Sequence, residues 1–423
     1  MNKRVPLGAA VAFMFIVAAV TFSITMIYSQ RTFNERVNNL KQREGVYDKF
    51  SELDRQVREN YIGNVNQQTL MDHVAQGYVQ GIGDKYARYI SAEEYARMTV
   101  TPEESQSVGI GVVASTSPEG FLRIDEVYPD SPAETAGMKA GDLIVRLDDT
   151  ALTTENALTQ LSNIYGLPGT RITMTVRRSG EEFALDMTRR VVITPTVYAR
   201  MIPETTIAYM HIKEFTANTS DQFNRELDRM LSAGAKSLIF DVRDNKGGLL
   251  RQATRILDRI VPAGIIYSAQ RKSGEIQEFR SDGNAIDLPI VILTNGATAS
   301  AAELFAQVLK DYEKGKTVGT LTTGKGVMQD IFQLSDGSAI EMTVAYYNPP
   351  VSENYDGIGV VPDFEVIMEG DWSKMDHETD SQLKKAMEVV LAMEKSNENQ
   401  SEEETTEGTG TETTEAPATT VAP

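Results

Sequence analysis

The chain has 423 residues, enough for two or three domains, and its 41 basic and 60 acidic residues give a formal net charge of −19. This acidic balance argues against nucleic acid as a partner, because phosphate binding needs a basic surface. The sequence contains no cysteine, which excludes disulfides, thiolate catalysis and thiolate metal sites. Its three histidines, His73, His211 and His377, are far apart in ordinary helix or strand patterns. We interpret them as structural residues and expect no metal site.

An uncharged apolar segment near the start of the chain predicts a membrane anchor. Residues 7–28 are long enough to span a bilayer, which takes about 20 residues. Lys3 and Arg4 precede this segment, so the positive-inside rule places the N-terminus in the cytoplasm and the following chain outside. A cleaved signal peptide is the alternative, but the apolar run is too long for one and no small-residue cleavage site follows. We therefore expect residues 1–30 to form a cytoplasmic stub and a single-pass anchor in the cell membrane.

The next segment, residues 31–103, is predicted to be a helical region. Its apolar residues recur at steps of three and four, the pattern of an amphipathic helix. We interpret this helix as packing on the next domain; a stalk and a dimer contact are the alternatives. The residues of the apolar pattern are Phe33, Val37, Leu40, Val46, Phe50, Leu53 and Val57.

Residues 104–192 predict a small β-rich domain of short strands separated by Gly, Pro and Asp turns. The run "SPAETAGMKAGDLIVRLDD" at 131–149 resembles the matching stretch of PDZ domains. That resemblance implies that Val108, Gly109, Ile110 and Gly111 form a loop for the terminal carboxylate of a peptide. The peptide would add to the domain as a strand. A β-rich domain without a ligand is the alternative.

From residue 193 to residue 394, strand and helix patterns alternate, which predicts an α/β core with a mostly parallel sheet. Ligands of such sheets bind beyond the carboxyl ends of the strands. Two strand-to-helix junctions face that edge, at Gly247–Gly248 and at Ser300–Ala301. Helix N-termini present unpaired N–H groups, the donors of an oxyanion hole. Ser300 is therefore a candidate nucleophile on an exposed turn, with a helix cap as the alternative.

A serine nucleophile needs a base, and no histidine is suitably placed. Lys325 lies between two glycines and is the candidate, provided that burial keeps its amine neutral. Gln329 follows four residues later, which places both side chains on one face of a strand or of a helix. Gln329 is thus a candidate to orient the lysine. An ordinary loop lysine is the alternative.

The end of the chain carries two different patterns. The helix predicted at 381–395 has Leu383, Met387, Val390 and Leu391 on one stripe, which is either a homodimer contact or, as we expect, a face packed on its own core. Residues 395–423 are rich in Glu and Thr with almost no apolar residues. Such a segment buries too little surface to offset its ordering entropy, so we predict a disordered acidic tail.

Residues 46–368 resemble the carboxyl-terminal processing peptidases, or tail-specific proteases. These are serine proteases with a Ser-Lys-Gln centre and an inserted PDZ domain. The stretches that carry the resemblance are "GIGDKYARYISAEEY" (81–95), "DVRDNKGGLL" (241–250), "NGATASAAELFA" (295–306), "GKGVMQ" (324–329) and "DGIGVVPDFEV" (356–366). The departures from the family pattern remove no catalytic group; they are Lys85, Ala87, Lys246, Thr323 and the loop "NPPVSENYD" at 348–356.

The resemblance implies a serine endopeptidase that acts on proteins or peptides with exposed C-termini. Ser300 matches the nucleophile, Lys325 the base and Gln329 the third member of the centre. The N–H groups of Gly248 and Ala301 are the expected oxyanion donors, with Gly247 as second choice. No metal or cofactor is required. The alternative is a PDZ scaffold or regulatory binding protein on an inactive protease fold, against which the intact serine, lysine and glutamine weigh.

Overall fold

The computed structural model describes residues 7–100, 106–283 and 285–407, and it divides into two units, residues 1–78 and 79–423. The first unit contains helix α1 (Leu7–Asn60) and most of helix α2 (Gln67–Gln80). Within α1, Ala12–Gln30 is long and apolar enough to cross a membrane, with a mean hydropathy of 2.0. The predicted stub at 1–6, the side chains of Phe33, Val37 and Leu40, and the boundary at 101–105 lie outside the described residues.

The second unit begins with strand β1 (Arg88–Ile90) and helix α3 (Ala92–Val100) and continues into the β-rich domain. This domain contains a sheet of order β3-β4-β5-β7-β8, with β6 paired to β5, and a separate β2–β9 ribbon. Side chains in β7 alternate between core and surface, as the period of a half-buried strand requires. The elements are β2 (Gln106–Gly109), β3 (Val112–Thr116), β4 (Leu122–Val127), α4 (Pro132–Thr135), β5 (Leu143–Leu147), β6 (Thr150–Ala151), α5 (Ala157–Leu161), β7 (Arg171–Arg178), β8 (Glu181–Thr188) and β9 (Arg190–Ile193).

The α/β core follows the β-rich domain. Its elements are β10 (Val197–Met201), β11 (Ile207–Ile212), α6 (Thr219–Ser232), β12 (Ser237–Asp241), α7 (Leu250–Asp258), β13 (Gly264–Arg271), β14 (Ile276–Ser281), β15 (Ile290–Thr294), α8 (Ala301–Asp311), β16 (Gly315–Gly319), β17 (Val327–Gln333), β18 (Ala339–Asn348), β19 (Phe364–Glu365) and α9 (Ser381–Glu407).

One sheet of the core has the order β10-β11-β12-β15-β16-β19. β10 and β11 are antiparallel, and each following pair in this order is parallel. Every residue of β12 and β15 is buried, as expected for central strands covered on both faces. Alternate side chains pack on α6, α7 and α8 on one face and on α9 on the other. The helices cover the two faces of the sheet but not the carboxyl ends of its strands. The glycine pair follows the carboxyl end of β12, and Ser300 follows that of β15.

A second core sheet is antiparallel, which the sequence patterns did not predict. It has the order β1-β18-β13-β14, with β17 also paired to β18. A mostly parallel sheet therefore describes only one of the two core sheets. The second sheet escaped prediction because its pairings are long-range: β1 residues 88–90 pair with β18 residues 339–341. This pairing brings residues 81–95 to the loop that contains Lys325, where the Tyr86 hydroxyl donates to the Gly324 carbonyl.

Helix α9 includes the stripe predicted at 381–395 and extends into the segment predicted as the tail. Leu383 and Val390 are buried against the sheet and Met387 packs on the same cluster, while Leu391 is 37% exposed. Most of this stripe therefore packs on the chain's own core. The helix continues through Glu407, past the predicted boundary at residue 395. Glu, Lys and Gln are good helix formers and let a helix begun in the core continue outward. Residues 408–423 of the predicted tail lie outside the described residues.

Candidate active site

Ser300 lies on a strained turn between β15 and α8. Its backbone has φ 56° and ψ −122°, in the left-handed half of φ space that residues other than glycine rarely adopt. The Thr298 hydroxyl holds this turn by donating to the Val242 carbonyl (2.8 Å) and accepting from the Asn295 N–H (3.0 Å). A sharp strand-to-helix turn of this kind presents a serine hydroxyl at the edge of a sheet, as a nucleophile requires.

The buried carboxylate of Glu303 connects Ser300 to the loop that carries Lys325. One oxygen, Oε2, accepts from the backbone N–H of Ser300 and from that of Lys325, both at 2.8 Å. The other oxygen, Oε1, accepts from the Gly324 N–H (2.6 Å) and the Thr322 hydroxyl (2.5 Å). Charge-assisted hydrogen bonds are stronger than neutral ones. Glu303 therefore fixes the backbone of the candidate nucleophile beside the backbone of the candidate base.

The glycine pair lies directly against this turn. A Cβ atom added at Gly247 would stand 2.8 Å from the Ser300 Cβ. The Gly247 N–H already donates a hydrogen bond to Asn245 Oδ1 at 2.8 Å, so it is not available to an oxyanion. Gly248 forms a parallel bridge with Phe215, in which the N–H groups of Phe215 and Leu249 make the hydrogen bonds, so the Gly248 N–H points away from the bridge. The geometry thus favours Gly248 over Gly247 as an oxyanion donor.

Ala301 supplies the second predicted donor position. It is the first residue of α8, where the N–H group has no acceptor within the helix. Its nitrogen would lie 3.0 Å from a Cβ added at Gly247. The two strand-to-helix junctions predicted from the sequence therefore meet at one place, with Ser300 between them.

Two tyrosines from the antiparallel sheet and its connections surround Lys325. The Lys325 Nζ lies 4.9 Å from the centre of the Tyr86 ring, over its face. The Tyr347 phenol donates a hydrogen bond to the Lys325 carbonyl. Burial raises the pKa of Tyr347, and its contact with the Ser300 side chain opposes that rise. Tyr347 therefore stays a neutral hydrogen-bond donor between the two predicted catalytic residues.

Gln329 does not reach Lys325 in this structure. Its amide donates to the Val327 carbonyl and to the Thr343 hydroxyl, both at 3.4 Å. The β17–β18 register shifts between Met328 and Gln329. This irregularity breaks the regular alternation of faces from which the spacing of 325 and 329 predicted a contact. Among the described residues, no hydrogen bond joins the two side chains.

Several residues of the site were missed from the sequence alone. Glu303 could have been predicted to contact Ser300, because a serine followed three residues later by a glutamate is a helix capping pattern. No sequence pattern places Tyr86 and Tyr347 in the site, because long-range sheet pairing brings them to Lys325. His211 instead has the structural environment predicted for it. It is half-buried, its ring packs edge-on against Trp372 at 5.2 Å, and the loss of solvent around it lowers its pKa.

The predicted carboxylate loop lies between two strands of the β-rich domain. Val108 and Gly109 end β2, Ile110 is fully buried, and Gly111 has φ 78°. A Cβ at Gly111 would stand 2.4 Å from the Ser131 Cβ, so the close approach of backbone here requires glycine. β3, which follows the loop, is the outer strand of its sheet and lies next to α5.

Comparison with known proteins gives two family matches. The sequence model of peptidase family S41 matches residues 206–366, and that of the PDZ domain matches residues 123–178. The carboxy-terminal-processing protease of Bartonella bacilliformis is 30% identical over 367 residues, covering 84% of this chain and 82% of the relative. The carboxy-terminal processing protease CtpA of Bacillus subtilis is 27% identical over 335 residues, covering 78% and 71%.

Among solved structures, the photosystem II D1 C-terminal processing protease is 25% identical and superposes with a TM-score of 0.48, covering 79% of this chain and 91% of that chain. The relatedness to the Bartonella protease extends over most of both sequences. The chain belongs to the carboxyl-terminal processing proteases of peptidase family S41, which are serine peptidases, and it contains a PDZ domain.

Proposed function

We propose that this chain is a membrane-anchored, extracytoplasmic endopeptidase that uses Ser300 as nucleophile and Lys325 as base and selects substrates by their C-termini. The observation that carries this proposal is the Glu303 carboxylate. It holds Ser300 and Lys325 through one oxygen atom, at a turn lined by the glycine pair. Family membership supports proteolysis, and the contacts of these side chains support the assignment of their roles.

The proposed reaction is acyl transfer. The Ser300 hydroxyl oxygen attacks the carbonyl carbon of the scissile peptide bond while its proton passes to the neutral Lys325 amine. The N–H groups of Gly248 and Ala301 stabilise the oxyanion that forms. Lys325 then protonates the leaving amine, and water hydrolyses the acyl-enzyme. Gln329 takes part by orienting Lys325, which requires its amide to leave its present partners in β17 and β18.

The PDZ domain reads the substrate C-terminus in this proposal. Among the described residues, β3 pairs on one side only, so a peptide strand can add to its other side, and the loop at residues 108–111 receives the terminal carboxylate. Val113 on β3 and Leu158 on α5 are 40% and 73% exposed and offer apolar contact to the side chains of the peptide. The natural ligand is accordingly a protein or peptide with an accessible C-terminus.

The anchor follows from the apolar segment Ala12–Gln30 of α1. Its length matches the hydrocarbon core of a bilayer, and the basic residues that precede it keep the N-terminus inside. The PDZ domain and the protease core would then face the extracytoplasmic side.

The test uses the full-length chain in liposomes and an unstructured protein substrate with its C-terminus either free or amidated. Amidation removes the charge that the PDZ loop binds, so we expect cleavage of the amidated form to slow by about tenfold or more. Equal cleavage of both forms would overturn the proposal that the PDZ domain selects substrates by their C-termini, but not the proposal that the chain is a protease. If the wild-type chain cleaves neither form but binds the free C-terminus, the PDZ scaffold is the better description.

A further inference from the structure

A segment beyond the family match contacts the loop that carries the glycine pair. We propose that Trp372 and Asp380 are positioning residues for catalysis, which hold Arg243 and Asp244 and thereby fix Gly248 against the Ser300 turn. The S41 match ends at residue 366, so this segment, residues 371–382, lies outside it. The inference rests on the proposed function, because the glycine it positions is the proposed oxyanion donor.

Arg243 is the centre of this contact. Its guanidinium is 1% exposed and forms ion pairs with Asp241 (2.5 Å) and with Asp380 (2.8 Å). The Trp372 ring covers its face, with the guanidinium carbon 4.2 Å from the ring centre. A buried charge is tolerated only when its partners remain in place. The position of Arg243 therefore depends on the segment that supplies Asp380 and Trp372.

Asp380 links Arg243 to the start of α9. Its Oδ1 accepts from the Leu383 N–H at 2.9 Å, as a helix cap does, while Oδ2 pairs with Arg243. Gln382 adds a second link, accepting from Arg243 (3.1 Å) and donating to the Val366 carbonyl (2.7 Å). Since α9 is packed in the core, these links give Arg243 a rigid support.

Trp372 also reaches the next residue of the loop. Its indole N–H donates to Asp244 Oδ2 at 2.7 Å. Asp244 is in the left-handed region, with φ 59°, and exchanges two hydrogen bonds with Asn295 at 3.0 and 2.9 Å. Asn295 begins the loop that leads to Ser300. The Trp372 contact thus holds a strained residue that bridges the two loops of the site.

The remaining contacts run from this bridge to the glycine pair. Asn245 donates to the Ile212 carbonyl (2.9 Å) and accepts from the Gly247 N–H (2.8 Å), and its own carbonyl accepts from the Ala299 N–H (2.9 Å). A displacement of Arg243 or Asp244 therefore moves the glycine pair relative to the Ser300 turn. The transition state would lose its oxyanion contact, while substrate binding through the PDZ domain would be unaffected.

The test compares Trp372→Phe and Asp380→Asn with the matched control Asp376→Asn in the full-length chain. Trp372→Phe keeps a smaller aromatic ring beside Arg243 and His211 and removes the hydrogen bond to Asp244. Asp380→Asn keeps a helix cap and removes the charge. Asp376 lies on the same segment, and its carboxylate accepts hydrogen bonds from Glu378 and Thr379. The Asp376 carbonyl also accepts from the Asp380 N–H, a backbone contact that Asp376→Asn retains. We expect each test variant to lower kcat about 10- to 100-fold with KM unchanged, and the control to match the wild type.

Hydrogen exchange supplies a readout that does not need activity. Faster exchange of peptides covering 242–249 and 295–301 in both test variants, and not in the control, would support the inference. Unchanged exchange and unchanged kcat would overturn it, as would a loss shared equally by the control. A wild-type chain that cleaves nothing would count against the proposed function, whereas the exchange data would still decide whether the segment holds these loops.

Discussion

Gly247 lies in contact with Ser300, and no larger residue fits between the two loops of the site. A Cβ atom at Gly247 would stand 2.8 Å from the Ser300 Cβ and 2.9 Å from the Ala299 carbonyl oxygen. The φ of Gly247, 99°, is itself strained for any residue with a side chain. This contact joins the turn that carries the proposed nucleophile to the loop that carries the proposed oxyanion donor.

Gly247→Ala is expected to lower kcat/KM by about 100-fold or more, because the added methyl group forces Ser300 or the loop out of place. Gly274→Ala is the matched control, since Gly274 has a similar positive φ of 83° with nothing within 4 Å of its added Cβ. Steady-state kinetics of the two variants separates the steric effect at Ser300 from backbone strain alone. Equal activity of both variants would show that the contact is not needed.

Glu303→Gln is expected to damage both catalysis and stability. The amide replaces one carboxylate oxygen by an NH₂ group that faces N–H donors, so about two of the four hydrogen bonds are lost. We expect the free energy of unfolding to fall by about 3 kcal/mol, the scale of two charge-assisted hydrogen bonds. The check is a denaturant titration beside a kinetic assay, with Glu388→Gln as a control on an exposed glutamate, 69% exposed. A variant with normal kcat would contradict the role given to this carboxylate.

Leu158→Asp tests the groove between β3 and α5. A carboxylate there removes apolar contact and repels the terminal carboxylate of the peptide, so we expect KM for substrates with a free C-terminus to rise about tenfold with kcat little changed. Ile276→Asp introduces the same charge at an exposed site of similar accessibility, 60% against 73%, in the protease core. If both substitutions raised KM equally, the groove between β3 and α5 would not be the site that binds the substrate C-terminus.

The environment of His211 determines the direction of one pH effect on the free energy of unfolding. Burial lowers the pKa of this imidazole, so the unfolded chain binds its proton more readily than the folded chain does. Its contribution to stability is present above the ordinary histidine value of 6.5 and is lost as the pH falls below it. We expect His211→Gln to show a smaller loss of unfolding free energy over this range than the wild type. The same pH dependence in His211→Gln and in the wild type would contradict this account.

The sequence predicted the parts of the site that depend on local order along the chain. Ser300, Ala301 and the glycine pair could be placed because each follows a buried strand directly, and the ends of adjacent strands meet at one edge. Tyr86 and Tyr347 could not, because their positions depend on the pairing of strands far apart in sequence. The predicted contact between Gln329 and Lys325 is not made in this structure, where the β17–β18 register shifts between Met328 and Gln329 in a way that residue spacing does not reveal.

Composition alone did not predict that helix α9 continues past residue 395. The acidic, Thr-rich segment from residue 395 has no apolar stripe to hold it, but it continues a helix that is already anchored by Leu383 and Val390. Helix propagation costs less than helix nucleation, so a polar extension can remain helical beyond the packed part.

The most direct test of the account is cleavage of a C-terminally free protein substrate by full-length wild type, Ser300→Ala and Lys325→Ala under single-turnover conditions. Removing one member of a catalytic unit lowers the rate about as much as removing all of them. We therefore expect the cleavage rate of each variant to fall by at least about 10⁴-fold. Unchanged melting temperatures would show that the loss is chemical. Cleavage at a rate near that of the wild type in either variant would contradict the proposed Ser300–Lys325 mechanism.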